Sequence, residues 1–251
     1  MNSRETWIAF YTILTKEVRR FMRIWMQTLL PPAITTGLYF VIFGTLIGGR
    51  IGEMQGFSYI QFVVPGLVMM SVLTNAYSNV VSSFFSVKFQ RSIEELLIAP
   101  VPNWAILAGY VAGGVARGIC VGIVVTLLSL FFTQLHVQHW FIMISAVLLT
   151  SILFSLAGLI NAIYARNFDD VSIIPTFVLT PLTYLGGVFY SVDLLPPFWK
   201  ALSLMNPIIY MVNAFRYGML GITDVNIAFS LGMIFVFSCV AGFFALRLLN
   251  T

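Results

Sequence analysis

Three stretches of this chain carry no charged side chain at all: 26 residues between Arg23 and Arg50, 34 between Glu53 and Lys88, and 48 between Arg117 and Arg166. A helix needs about 20 apolar residues to cross the hydrocarbon layer of a bilayer, so runs of this length read as membrane segments. Composition agrees. Hydrophobic residues make up 59% of the 251 positions and Asp, Glu, Lys and Arg 9%, against roughly 25% charged in soluble domains. The sequence predicts an all-α polytopic membrane protein, folded as a single transmembrane domain over 1–251.

Read with their breaks, the apolar runs give six expected spans, at about 25–47, 58–86, 105–133, 140–164, 171–190 and 226–248. The longest run divides at Gln134 to Trp140, which has the polarity and the Trp of an interface turn. An even number of spans puts both termini on one side. Arg4, Lys16, Arg19, Arg20, Arg23, Lys88, Arg91, Arg166 and Arg247 then share one face, against Arg50, Lys200 and Arg216 on the other. The richer face is the expected cytoplasmic one. No cleaved signal peptide is expected, because the first apolar run starts after residue 23 and is too long for its core.

Ahead of the first span, Trp7, Tyr11, Leu14, Val18, Phe21 and Trp25 recur at steps of four and three, one stripe of a helix. Lys16, Arg19, Arg20 and Arg23 lie mostly off it. Residues 1–24 therefore read as an amphipathic helix in the membrane interface, aromatic face inward and basic face toward anionic headgroups. The other reading is that these basic residues serve only to fix topology.

Catalytic chemistry finds little support. Cys120 and Cys239 both fall inside spans, as apolar packing residues. His136 and His139 have no third ligand nearby, so no metal site is expected. No GxSxG or HExxH motif is present. The lysines are Lys16, Lys88 and Lys200, and none follows a glycine, so the chain has no P-loop with which to bind ATP. No catalytic residue and no nucleic-acid partner is expected.

Polar residues inside the spans are candidates for a pathway. Asn75 and Asn79 share a face of the second span, Arg117 lies in the third and Asn161 in the fourth. The asparagines suit interhelical hydrogen bonds as well as a cavity lining. Arg117 is either partnered and functional or snorkels to an interface about a turn away. Beside it Gly114, Gly118 and Gly122 repeat every four residues, a strip that lets another helix approach closely.

Two further segments stand out. Ser191 to Leu220 is apolar but broken by Pro196, Pro197 and Pro207, and carries Asp193, Lys200 and Arg216. Two short helices dipping into the outer leaflet are the expectation, with their irregular backbone buried in protein. In this segment Tyr210 and Arg216 are expected on a short helix over the outer end of the pathway, Arg216 anchoring at headgroups or pairing with Asp193. The other segment, Lys88 to Ala99, reads as about three turns of amphipathic helix. Phe89, Ile93, Leu96 and Leu97 share one side, Arg91 is placed to pair with Glu95, and Pro100 ends it. A plain cytoplasmic turn is the alternative.

"LTPLTYLGGVFYSVDLLPPFWKALSLMNPIIYMVNAFR", Leu179 to Arg216, resembles the signature of the ABC-2 type permeases, membrane subunits of ATP-binding-cassette exporters. Leu179, Leu182, Leu185, Gly186, Val188, Leu195, Pro196, Pro207, Ile208, Tyr210 and Arg216 carry the match. "RSIEELLIAPVPNWAILAGY" is similar to the family's segment after span 2, although Ser92–Ile93 stand where relatives have Gly-Thr. The resemblance implies the type V exporter fold, a homodimer in the bacterial inner membrane with cytoplasmic termini, and two copies of a cytoplasmic ATPase that bind ATP and Mg. It implies that residues 88–99 couple to that ATPase, through Arg91, Ile93, Glu94, Glu95, Leu96, Leu97 and Pro100. It also implies export of drug-like, amphipathic or lipid-linked saccharide cargo, membrane lipid being a further partner. A self-sufficient secondary transporter or channel is the alternative, but it predicts intramembrane carboxylate pairs and an internal repeat, which the sequence does not display. An integral-membrane enzyme would need a cluster that Asp169 and Asp170, without a nearby His, do not make.

Overall fold

Helix follows helix through the computed structural model, which describes residues 2–92, 100–135 and 137–250. α1 is Ser3–Arg23; α2 is Trp25–Ile51, α3 Tyr59–Phe89, α4 Asn103–Ser129 and α5 Trp140–Tyr164. α6 covers 168–184, α7 Pro197–Leu204, α8 Pro207–Leu220 and α9 Ile227–Leu249. The all-α expectation needs one amendment. Strands β1 (Glu53–Met54) and β2 (Phe57–Ser58) form a hairpin between α2 and α3. Gln55 and Gly56 turn it with positive φ at both positions, the pairing that matches the natural strand twist.

Among the described residues five helices are long and apolar enough to cross a membrane, α2, α3, α4, α5 and α9. The expected span at 171–190 is where structure and sequence part. α6 consists of α-helical stretches of 7 and 5 residues around a π-helical stretch of 5. At 1.5 Å per residue it reaches roughly 25 Å, short of a layer of about 30 Å. Helix ends at Tyr184 and the chain continues to Tyr190 in turns and bends, with Gly187 at a φ of 69°. Hydropathy cannot see that ending, because residues 185–190 are as apolar as the helix before them.

α3 lies at the centre. Its neighbours α4 and α5 approach closely because glycines line the contacts. A Cβ on Gly114 would strike the Ser155 hydroxyl of α5 and Val80 of α3, one on Gly118 would meet Ser151 and Ala76, and one on Gly158 would sit 2.6 Å from the Tyr77 carbonyl oxygen. In lipid no hydrophobic gain draws helices together, so close van der Waals contact of this kind is what holds a bundle. The small-residue strip of α4 is therefore packing surface on two sides.

The N-terminal helix packs on one stripe and leaves the expected aromatic stripe largely open. α1 buries Thr6, Ile13, Glu17 and Phe21, while Trp7, Tyr11 and Trp25 are exposed. Ile13 sits over Gly109 and Glu17 over Gly113 of α4. The contact advances four residues on each helix, so α1 runs along the first turns of α4 in the same direction. The packed stripe lies one position before the aromatic one, and the two share Phe21. Asn2 caps the helix, accepting from Ser3 N, and Glu5 closes a capping box.

Candidate functional site

A cleft of about 310 Å³ opens between α2, α3 and α4. Pro31 and Pro32 sit at the start of an α-helical stretch in α2, where their missing N–H groups cost nothing, and beyond them α2 presents Thr35 and Tyr39 to the cleft. α3 contributes Ser71, Thr74 and Asn75, and α4 contributes Arg117. Asn75 donates to Ser71 O, which orients its amide so that Oδ1 accepts from Arg117 Nη2 at 3.0 Å. Arg117 thus points inward between helices. Thr36 and Ser71 join α2 to α3 through their hydroxyls, 3.1 Å apart.

The other candidate asparagines are elsewhere. Asn79 accepts from Arg20 Nη2 through both its carbonyl oxygens, at 3.0 and 2.9 Å. Asn161 donates to the Tyr77 hydroxyl at 2.7 Å and to Val171 O, joining α5 to α3 and α6. Two of the sequence candidates therefore come together, Asn75 with Arg117, and two do not.

Arg20 belongs to a cluster that sequence reasoning missed. Its guanidinium also meets Glu17, 3.2 Å away, and Glu17 Oε1 accepts from Ser83 Oγ at 2.6 Å. A fully buried carboxylate needs such partners. Its trace in the sequence was there: Glu17 falls in the period of Thr6, Ile13 and Phe21.

The candidate coupling segment is legible only at its ends. α3 runs on through Lys88 and Phe89 before the chain turns at Gln90 and Arg91, the latter at a φ of 58°. Lys88 and Phe89 are therefore the last turn of a span rather than the first of a separate helix. Lys88 Nζ donates to the carbonyls of Ala162, Ile163 and Ala165, closing the C-terminus of α5. Phe89 packs with Phe85 and Phe168. Arg91 and Pro100 are exposed; Ile93, Glu94, Glu95, Leu96 and Leu97 lie outside the described residues.

In the last third of the chain the motif positions explain one another. A Cβ on Gly186 would sit 2.6 Å from Ile208 Cγ2, so only glycine lets α8 come this close. Pro196 and Pro197 open α7, and Asn206 caps α8 ahead of Pro207, accepting from Ile208 N and donating to Leu182 O. Tyr210 is buried, its hydroxyl donating to Leu204 O. Arg216 corrects its expected role. It is buried in α8, donates to Gly187 O at 2.7 Å and lies 3.9 Å over the Phe62 ring. Asp193 pairs instead with Lys200 at 2.8 Å. Asp224, which the sequence did not single out, accepts from Gln55 and Ser191 on one oxygen and from Val192 N on the other. Its own N–H donates to Asn213 of α8.

Nested apolar helices, a cleft holding a basic residue and a broken segment before the last long helix describe a polytopic membrane protein. Residues 8–220 match the ABC-2 type transporter family, and the chain belongs to it. It is 64% identical over 231 residues to "Inner membrane transport permease YadH" of Escherichia coli strain K12, covering 92% of this chain and 90% of that one. Nodulation protein J of Rhizobium leguminosarum bv. viciae is 24% identical over 204 residues, 80% of this chain and 78% of its own. That of Rhizobium meliloti strain 1021 is 23% identical over 217 residues, 85% and 82%.

Proposed function

We propose that the chain is the membrane-spanning subunit of an exporter in the bacterial inner membrane, working as a homodimer with two copies of a separate ATPase. One observation carries this reading: a chain of the ABC-2 family has no P-loop lysine of its own, so ATP and Mg must be held by another subunit. The permease named for the inner membrane in Escherichia coli supports the location. ATP-driven closure of the ATPases would push on residues 88–99 and shift the spans between inward- and outward-open arrangements. Cargo is an amphipathic, drug-like or lipid-linked saccharide molecule, since the spans offer few fixed charges to an ion.

In this reading α6 is the sixth crossing, its missing length made up by the turns to Tyr190, and α7 and α8 are re-entrant from the outer side. Single cysteines at 53 and 200 are expected to label only from outside, and those at 92 and 168 only from the cytoplasm. Opposite labelling at any two would overturn the topology.

The decisive experiment is hydrolysis. Purified alone, the chain is expected to turn over no nucleotide, and activity is expected once a partner ATPase subunit is co-expressed. Leu97→Asp would place a charge in an apolar contact, at a cost of several kcal/mol to the complex. It is expected to abolish co-purification of the ATPase while leaving insertion and dimerisation intact, and Glu95→Ala to weaken coupling more mildly. Full coupling in Leu97→Asp would make the segment a plain turn.

A further inference from the structure

The bundle holds three arginines between its helices, and they are not alike. Arg20 has the Glu17 carboxylate, and Arg216 has a carbonyl and an aromatic face. The Nε of all three is buried without a partner, but Arg117 differs in that its one hydrogen bond goes to a neutral amide, with neither a carboxylate nor an aromatic face beside it among the described residues. Among the described residues no carboxylate lies within ion-pair distance of it. A guanidinium offers five N–H donors in a planar fork suited to phosphate, and an unbalanced one inside a membrane protein marks a site by default.

The surroundings say what would balance it. The cleft beside Arg117 mixes polar lining, Gln27, Thr35, Thr74 and Asn75, with apolar lining that includes Leu67 and Met70 on the preceding turns of α3. Gln27 is exposed and its amide makes no hydrogen bond within the described protein. Arg117 lies one helical turn beyond the point where Glu17 of α1 crosses Gly113. That places it at the level of the basic N-terminal helix, whose sequence pattern suits the membrane interface.

We propose that this cleft binds the phosphate group of an anionic amphiphile, the phosphate on Arg117 with Gln27 at the mouth and the acyl portion along the apolar lining. The site rests on the permease reading for its use in transport but not for its existence, and its test is separate.

Binding to the purified full-length chain in detergent is measured by native mass spectrometry and by thermal stabilisation. The probes are short-chain phosphatidylglycerol, phosphatidylcholine of the same chain length, and inorganic phosphate. Phosphatidylglycerol is expected to bind and stabilise, and phosphatidylcholine to do so much less, because its net charge is zero. Displacement of phosphatidylglycerol by inorganic phosphate at similar concentration would overturn the amphiphile and leave a free-anion site; failure to displace it supports the lipid. Arg117→Gln is expected to weaken phosphatidylglycerol about tenfold or more, the loss of a charge-assisted contact, with Arg117→Lys restoring part. Thr35→Phe fills the mouth without touching Arg117 and is expected to block binding, which keeps the proposal testable if Arg117→Gln does not fold. Undiminished binding in either folded variant, or equal binding of the two lipids, overturns the site. Failure here with intact ATPase coupling sinks this proposal alone; lipid binding without coupling sinks only the permease reading.

Discussion

α3 and α2 are neighbours in sequence and both are long enough to span, yet 72% of the apolar window of α3 is buried inside the chain and 11% of that of α2. α3 is clasped by α4 and α5 through glycine contacts and by α8 where Arg216 lies over Phe62. α2 contains a π-helical stretch at Val41–Ile47, and among the described residues its hydrogen bond to α6 is that between the hydroxyls of Tyr39 and Tyr184, 2.9 Å apart. α6 has the same π-helical break and exposes Ile173, Phe177 and Val178. One side of the molecule is thus a finished core, and the other a pair of irregular helices whose faces await lipid, a second copy, or both in turn.

Substitutions should separate the two sides sharply. The largest effect is expected from Gly114→Leu, where the new side chain would run into Ser155, Val80 and the Ala76 carbonyl. A loss of about 3 kcal/mol, read by thermal unfolding in detergent, contrasts with no measurable loss for Gly232→Leu, at which nothing lies within 4 Å. Equal losses would erase the contrast. Arg216→Ala comes next, at about 2–3 kcal/mol, since it strips the Gly187 carbonyl of its donor and leaves a hole beside Phe62. Normal stability with altered export would assign Arg216 to gating instead. Glu17→Ala is expected to cost about 2 kcal/mol, because Arg20 and Ser83 both lose an acceptor; a protease-sensitive α1 would be the local sign. Smallest of all, Phe177→Ala on α6 should change the unfolding of the monomer by less than about 0.5 kcal/mol while reducing the dimer seen by cross-linking. An unfolding loss as large as that of Gly114→Leu would show that the open side is core after all.

What the sequence revealed follows the same line. Uncharged length located the five long helices to within a few residues, because crossing a bilayer is a constraint on length and polarity alone. The breaks at Pro196, Pro197 and Pro207 announced two short helices, because a proline ring sets where a helix can begin. Less visible was anything decided by a neighbour. That α6 stops at Tyr184 depends on Gly186 meeting Ile208 from another helix. The aromatic stripe of α1 was truly periodic, but period does not tell which of two overlapping stripes finds protein and which finds lipid. Asn75 and Arg117 were each visible as polar residues in apolar runs, whereas their pairing needed the crossing of α3 and α4. Asp224 lies in a short polar turn of the kind in which a carboxylate excites no interest.

That carboxylate has a mechanical meaning. By gripping the α2–α3 hairpin at Gln55, the chain at Ser191 and Val192, and α8 through Asn213, Asp224 rivets the adjoining ends of α2 and α3 to α8 and to the chain leading into α9. Helices fastened at one end cannot spread there like petals. They can only pivot about that end, so displacement grows with distance from it and is greatest at the opposite ends, where Arg91 turns the chain.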